Sequence, residues 1–136
     1  MITSSMMICA ERVIRDIQTN QISVINILEE MTPEGLPIFI QRLMIFAFLH
    51  REIKVDPEKI TCIFRISTGS QKLFEHELDV HFQDKATNRS IVDIGGLVVP
   101  VTGVVEISLL LEETLLNKYS FRVNEPRQAS KKQQPG

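Results

Sequence analysis

Hydrophobic and polar residues alternate with a period of two along much of the chain. The alternation is clearest at residues 74–83. The even-numbered positions are Phe74, His76, Leu78, Val80 and Phe82, and the odd-numbered positions are Glu75, Glu77, Asp79, His81 and Gln83. Successive side chains of a β-strand point to opposite faces, so one face here is apolar and the other polar. The pattern predicts a half-buried strand of an antiparallel sheet.

Short apolar runs separated by polar turns predict further strands elsewhere. Two runs at residues 6–14 and 22–31 flank a polar turn and predict a β-hairpin. Later runs lie at residues 60–67, 90–101, 104–112 and 115–123. Gly95 and Gly96 interrupt one of them and predict a bulge or bend. About eight short strands joined by short turns are typical of an all-β, antiparallel β-sandwich, which we predict as a single domain over residues 1–125.

The apolar run at residues 38–52 has an ambiguous period. Pro37 could open one short helix, since Leu, Met and Ala favour helices. We predict a strand instead, because Ile, Phe and Val dominate the neighbouring segments and nothing caps a helix here. Both faces of that strand are apolar, so either another segment of the chain covers one face or the strand forms an interface with a partner. The interface candidates are Phe39, Leu43, Ile45, Phe46 and Phe48.

Composition and charge narrow the class of protein. The chain has 136 residues, 43% of them hydrophobic and 24% charged, which is ordinary for a globular domain. The net charge of −2 argues against nucleic acid as a partner. Three basic residues, Arg127, Lys131 and Lys132, lie within residues 126–136, for which we predict a disordered basic tail. The start of the chain lacks a signal-peptide pattern and no apolar run is long enough to span a bilayer, so we predict a cytoplasmic protein without a membrane partner.

The chemistry-bearing residues do not form a recognised catalytic motif. Cys9 and Cys62 lie in apolar runs and are predicted to be buried free thiols. The sequence has neither a nucleophile elbow nor a phosphate-binding glycine loop, and we predict that the protein is not an enzyme.

A metal site is the one alternative that the residues suggest. Glu77, Asp79 and His81 share a strand face and could act as ligands. Neighbouring same-face positions lie about 6.5–7 Å apart at Cα, so a second strand would have to supply another ligand. We therefore predict a solvated strand face, with neither metal nor cofactor. His76 points to the opposite face and is predicted to be a hydrogen-bonded core or interface histidine.

Three stretches of the chain resemble a family of small bacterial β-sandwich proteins that is classed as a domain of unknown function. They are the opening hairpin with Asp16 and Thr19-Asn20-Gln21, the Leu36-Pro37 pair, and the closing hairpin with Pro100, Gly103 and Val123. The chain has Asn20 and Val105 where that family has Gly and Tyr. The resemblance implies a sandwich fold and no catalytic residues.

These observations together favour a non-catalytic protein-interaction or structural module. We expect it to act as a subunit of a homo-oligomer or of a larger bacterial complex. The alternatives are a β-sandwich that binds a small molecule or lipid and, with less support, a metal-dependent enzyme.

Overall fold

A computed structural model of the chain describes residues 1–126, so nearly all of the predicted basic tail lies outside the described part. The described residues form nine strands and no helix. The strands are β1 (Thr3–Arg15), β2 (Ile22–Ile27), β3 (Glu30–Met31), β4 (Ile38–His50), β5 (Lys59–Thr68), β6 (Gln71–His81), β7 (Thr87–Val99), β8 (Gly103–Leu111) and β9 (Thr114–Val123). Among residues 1–126 there is thus no helix that could cross a membrane.

The strands form two facing sheets, which confirms the predicted β-sandwich. One sheet has the order β2-β1-β4-β7, and the other has the order β3-β9-β8-β5-β6. All pairings are antiparallel except that of β3 with β9, a two-residue parallel ladder that the sequence does not predict. Side chains from both sheets meet in one core, whose largest fully buried members include Phe64, Leu43 and Ile107.

The ambiguous run at residues 38–50 is a strand, β4, at the centre of its sheet. It pairs with β1 on one side and with β7 on the other. Leu43 and Ile45 face the other sheet and belong to the main core. Phe46 and Phe48 point outward and belong to a second, smaller cluster. Along residues 44–50 both faces are apolar because both are covered, and the cover for the outer face comes from the same chain.

That cover is a hairpin formed by the second half of β1 and all of β2. β1 pairs with β4 only as far as Ala10, which lies opposite Met44. From Ala10 onward β1 pairs with β2. Residues 10–27, here called the hairpin arm, pack against the outward side chains of β4. The apolar contacts of this outer cluster involve Ala10, Val13, Ile22, Val24, Met44, Phe46, Phe48 and Ile91.

Hydrogen bonds close the turn of the hairpin arm and tie its tip to β7. The Asp16 carboxylate accepts from the backbone N–H groups of Gln18 and Thr19, at 2.8 and 3.1 Å. Both bonds lower the pKa of Asp16 below its ordinary value of 3.8, and the bond from Thr19 makes the larger contribution. At the tip, the Arg89 guanidinium donates to the Asn20 carbonyl at 2.7 Å. The arm therefore crosses the outer face of the sheet as far as the edge strand.

β4 and β7 change faces together where the sequence predicts a bulge or bend. Ile40 and Leu43 both face the core, although they are three positions apart and strict alternation would put them on opposite faces. The β4–β7 register is the same on either side of this point, so neither strand has an extra residue. Gly96 has a φ of +91°, and a Cβ built on it would lie 3.2 Å from the Phe39 ring. The irregularity is a shared bend, with an aromatic ring packed over a glycine.

Candidate functional site

The structure accounts for four of the five interface candidates by burial within the chain. Leu43 and Ile45 are 1% and 0% exposed in the inter-sheet core. Phe46 is 5% exposed beneath the hairpin arm, and Phe48 packs beside it, partly buried. Leu43, Ile45 and Phe46 therefore present almost no surface to a partner in the folded chain, whereas Phe48 keeps part of its surface accessible. Phe39 is the most accessible of the five, with 64% of its surface exposed.

A groove of about 1040 Å³ lies beside β4 where β1 departs from it. Beyond the Ala10–Met44 pair, β4 continues through residues 38–43 with β7 as its strand partner. The space that a straight β1 would have filled is open. The lining residues come from β1, β2, the segment after β2, β3, β4 and β7: Glu11, Asn26, Ile27, Leu28, Met31, Phe39, Ile40, Gln41, Arg42, Leu43, Asp93 and Gly95.

The groove combines an apolar lining with two polar pairs. Phe39 and Ile27 are exposed apolar side chains, and Met31 is half-buried. Arg42 and Asp93 form an ion pair at 3.0 Å between their Nη2 and Oδ2 atoms. This bond raises the pKa of the Arg42 guanidinium further above its ordinary value. Elsewhere in the lining the Asn26 side-chain amide donates to Glu11 at 3.1 Å.

The segment at residues 28–31 is anchored to both sheets and forms a fixed wall of the groove. The Leu28 N–H donates to the Cys9 carbonyl at 2.9 Å, and the Tyr119 hydroxyl donates to the Leu28 carbonyl. The Asn124 N–H donates to the Met31 carbonyl at 2.9 Å. Because these bonds fix the main chain on one side and β4 lies on the other, the groove is a preformed feature of the fold.

The metal-ligand candidates on β6 do not converge. Asp79 accepts a hydrogen bond from the Thr61 hydroxyl at 2.9 Å, and His81 contacts Glu58 at 3.0 Å. Glu77 is exposed opposite Ile63. The described part of the chain contains no group of three or more His, Cys, Asp or Glu side chains that could hold a metal ion.

Three further side chains considered in the sequence are His76, Cys9 and Cys62. His76 is exposed and stacks on Phe74 at 6.2 Å between ring centroids, so it is not a core histidine. Cys9 and Cys62 are both fully buried free thiols, as predicted. Burial raises their pKa values to about 12 and about 11, which disfavours the reactive thiolate.

Sequence reasoning found Phe39 but not the groove beside it. The groove depends on β1 leaving β4 at Ala10, and nothing in the local pattern of either strand marks that point. The one signal is Gln41-Arg42, the polar pair within the apolar run of β4, which falls where the groove lies.

A scan against models of protein families finds no match to this chain. A search of characterised proteins also finds none. The resemblance to the family of bacterial β-sandwich proteins therefore stays a prediction.

Proposed function

We propose that this protein is a non-catalytic interaction module that binds an extended, largely apolar segment of a partner protein in the groove beside β4. The observation that carries the proposal is the position of that groove. It places an apolar lining directly next to the stretch of β4 that β1 leaves without a neighbour.

Strand addition is the binding mode that fits this arrangement. On the side that faces the groove, alternate residues of β4 between positions 38 and 43 have no strand to receive their backbone hydrogen bonds. An incoming extended segment gains affinity from main-chain hydrogen bonds and specificity from pockets for alternate side chains. Ile27, Met31 and Phe39 supply accessible apolar surface along the same stretch.

Phe39 is the expected anchor of the interaction. Exposed aromatic residues in a preformed site commonly carry much of the binding free energy of an interface. The ring is packed on one side over Gly96 and is free on the other. The Arg42–Asp93 pair at the rim can orient polar groups of the bound segment.

A small-molecule or lipid site between the sheets has less support. The residues there, including Phe64, Ile66 and Leu109, are fully buried in the main core. The groove lies beside the sheet rather than within that core, as expected for a site that receives a protein segment.

Site-specific crosslinking tests the proposal. A photoreactive amino acid at position 39 is expected to crosslink a partner in cells of the native host, through an extended apolar segment identified by mass spectrometry. The matched control is position 104, since Val104 is an exposed apolar residue of the other sheet, with 41% of its surface accessible.

Affinity measurements then separate specific docking from chance contact. A synthetic peptide of the crosslinked segment is expected to bind the wild-type protein, and Phe39→Ala is expected to weaken binding by about tenfold or more. The proposal would be contradicted if positions 39 and 104 crosslinked to the same proteins. It would also be contradicted if Phe39→Ala left the affinity for the peptide unchanged.

A further inference from the structure

Two long strands lie at open edges on the same side of the sandwich. β6 has 11 residues and pairs only with β5, and β7 has 13 residues and pairs only with β4. The other edge strands in the described part, β2 and β3, have 6 and 2 residues. A long edge strand presents unpaired backbone groups that can pair with another chain unless its side chains prevent this.

The side chains of β6 oppose pairing with a second copy. Its exposed face carries Glu75, Glu77 and Asp79 in succession. An antiparallel pair of β6 strands centred on Glu77 would set Glu77 opposite its own copy and Glu75 opposite Asp79. Like charges at directly opposed positions are destabilising, and acidic residues are a common protection of sheet edges.

The side chains of β7 favour pairing with a second copy. Two identical antiparallel strands are related by a twofold axis perpendicular to the sheet, so each residue lies opposite a residue of the same face. With that axis at Ile91, Arg89 lies opposite Asp93 of the second copy, and the same pair occurs again across the axis. The geometry points to a homodimer formed by edge-to-edge pairing of β7 in this register.

Charge selects this register over its neighbours. An axis at Asp93 would set two aspartates opposite each other, and an axis at Arg89 would set two arginines opposite each other. An axis at Ser90 or Val92 would leave both charged residues opposite uncharged ones. Only an axis at Ile91 pairs each charge with its opposite.

The ladder would extend from Thr87 to Gly95 in each copy, because β7 bends at Gly95 and Gly96. One backbone acceptor on this stretch already has a side-chain donor: Arg15 donates to the Arg89 carbonyl at 3.3 Å. Pairing between two copies replaces that exposed hydrogen bond. The Arg89 side chain also donates to the Asn20 carbonyl at 2.7 Å, and Asp93 accepts from Arg42 at 3.0 Å, so the contacts with the second copy use the remaining donors of the guanidinium and the remaining acceptor sites of the carboxylate. The contact is small, so we expect a dissociation constant on the order of 1–100 µM.

This inference does not rest on the proposed function. The groove follows the β1 side of β4, but Asp93 and Gly95 of β7 also line it, so Asp93→Arg affects both sites and Arg89→Asp is the variant that leaves the groove lining unchanged. Phe39→Ala tests the groove and leaves the charged pair of β7 intact, so failure of one proposal does not affect the other.

Sedimentation of the full chain with charge reversals tests the dimer. The wild-type protein is expected to dimerise with rising concentration. Arg89→Asp and Asp93→Arg are each expected to weaken the dimer by about tenfold or more, since each change affects two symmetry-related pairs. The dissociation constant of the double variant is expected to lie within about threefold of the wild-type value, because the two changes together restore opposite charges at the opposed positions.

Control variants separate pairing from net charge. Lys118→Asp and Glu106→Arg change the charge by the same amounts at an exposed pair on β8 and β9, and should leave dimerisation unchanged. A protein that stays monomeric to about 200 µM, or a double variant no better than the single ones, would overturn the inference.

Disulfide trapping tests the register independently. Ile91→Cys is expected to form a disulfide with its own copy on mild oxidation, because residues at the axis lie about 4.5–5.5 Å apart at Cα. Val98→Cys is the matched control on the same strand, and in this register it lies about 48 Å from its copy. Cys9 and Cys62 are fully buried and give little background. Equal crosslinking at positions 91 and 98, or none at 91, would exclude the register.

Discussion

Replacing Phe46 with alanine tests the finding that the outer face of β4 is buried by the chain itself. Phe46 is 5% exposed in the cluster formed by β4 and the hairpin arm. A Phe46→Ala change removes most of an aromatic side chain and leaves a cavity between the arm and the sheet. If Phe46 instead faced a partner, the isolated chain would lose little stability.

The expected loss follows from burial. Truncation of a buried phenylalanine to alanine costs about 3–5 kcal/mol. The outer cluster is smaller than the main core and the arm can settle partly into the cavity, so we expect the lower end, about 3 kcal/mol. For a domain of this size that loss corresponds to a fall in Tm of about 10 °C. Phe39→Ala removes a side chain that is 64% exposed and is expected to cost less than about 1 kcal/mol.

Urea unfolding followed by far-ultraviolet circular dichroism measures both variants, since the chain has no Trp and a single Tyr. Amide hydrogen exchange adds a local measurement. In Phe46→Ala, the amides of residues 10–27 are expected to exchange faster than those of β5 and β8, because the arm loses its main contact.

Two results would refute this reasoning. The first is a loss of less than about 1 kcal/mol in Phe46→Ala, which would mean that the arm does not cover the residue in solution. The second is an equal loss in Phe39→Ala, which would mean that Phe39 is buried in the isolated chain.

Two further predictions concern the bend in β7 and the turn of the arm. Gly96 has a φ of +91°, and a Cβ on it would lie 3.2 Å from the Phe39 ring, closer than an ordinary contact. Gly96→Ala is therefore expected to cost about 1–2 kcal/mol in urea unfolding, mostly from the backbone, and the added change Phe39→Ala should recover only the steric part. A neutral Gly96→Ala would contradict the left-handed conformation of this residue. The pKa of Asp16 in the folded chain lies below its ordinary value of 3.8, chiefly because the Thr19 N–H donates to the carboxylate. The contribution of Asp16 to stability is therefore fully present above pH 3.8 and is lost as the pH falls through the lowered pKa. The urea midpoint of the wild type should therefore fall more steeply from pH 5 to pH 2 than that of Asp16→Asn, and parallel curves would argue against the capped turn.

Much of the architecture could be predicted because each strand carries its own signal. The alternation at residues 74–82 depends only on one strand and its two faces. The two apolar faces of β4 correctly indicated that both are covered. The pattern did not say whether the cover comes from this chain or from another, since a buried outer face has the same composition in either case.

The site could not be predicted because it depends on how distant strands pair. Ala10 has no property that marks it as the end of the β1–β4 ladder. The face change between Ile40 and Leu43 also requires both strands, because Gly96 of β7 permits the bend and β4 follows it. Local sequence patterns indicate which residues are buried, but they do not indicate where the pairing of two distant strands ends.

The division of β1 at Ala10 has a consequence for the order of folding. The hairpin arm joins residues that are close in sequence, and hairpins of this kind form within microseconds. The first half of β1 pairs with residues that follow 34 to 47 positions later, from Ala10 with Met44 to Thr3 with His50, and closing a longer loop costs more entropy. We therefore expect the second half of β1 to be ordered first. During synthesis the first residues of the chain would stay unpaired until β4 has been made, so one strand would contain both an early and a late folding segment.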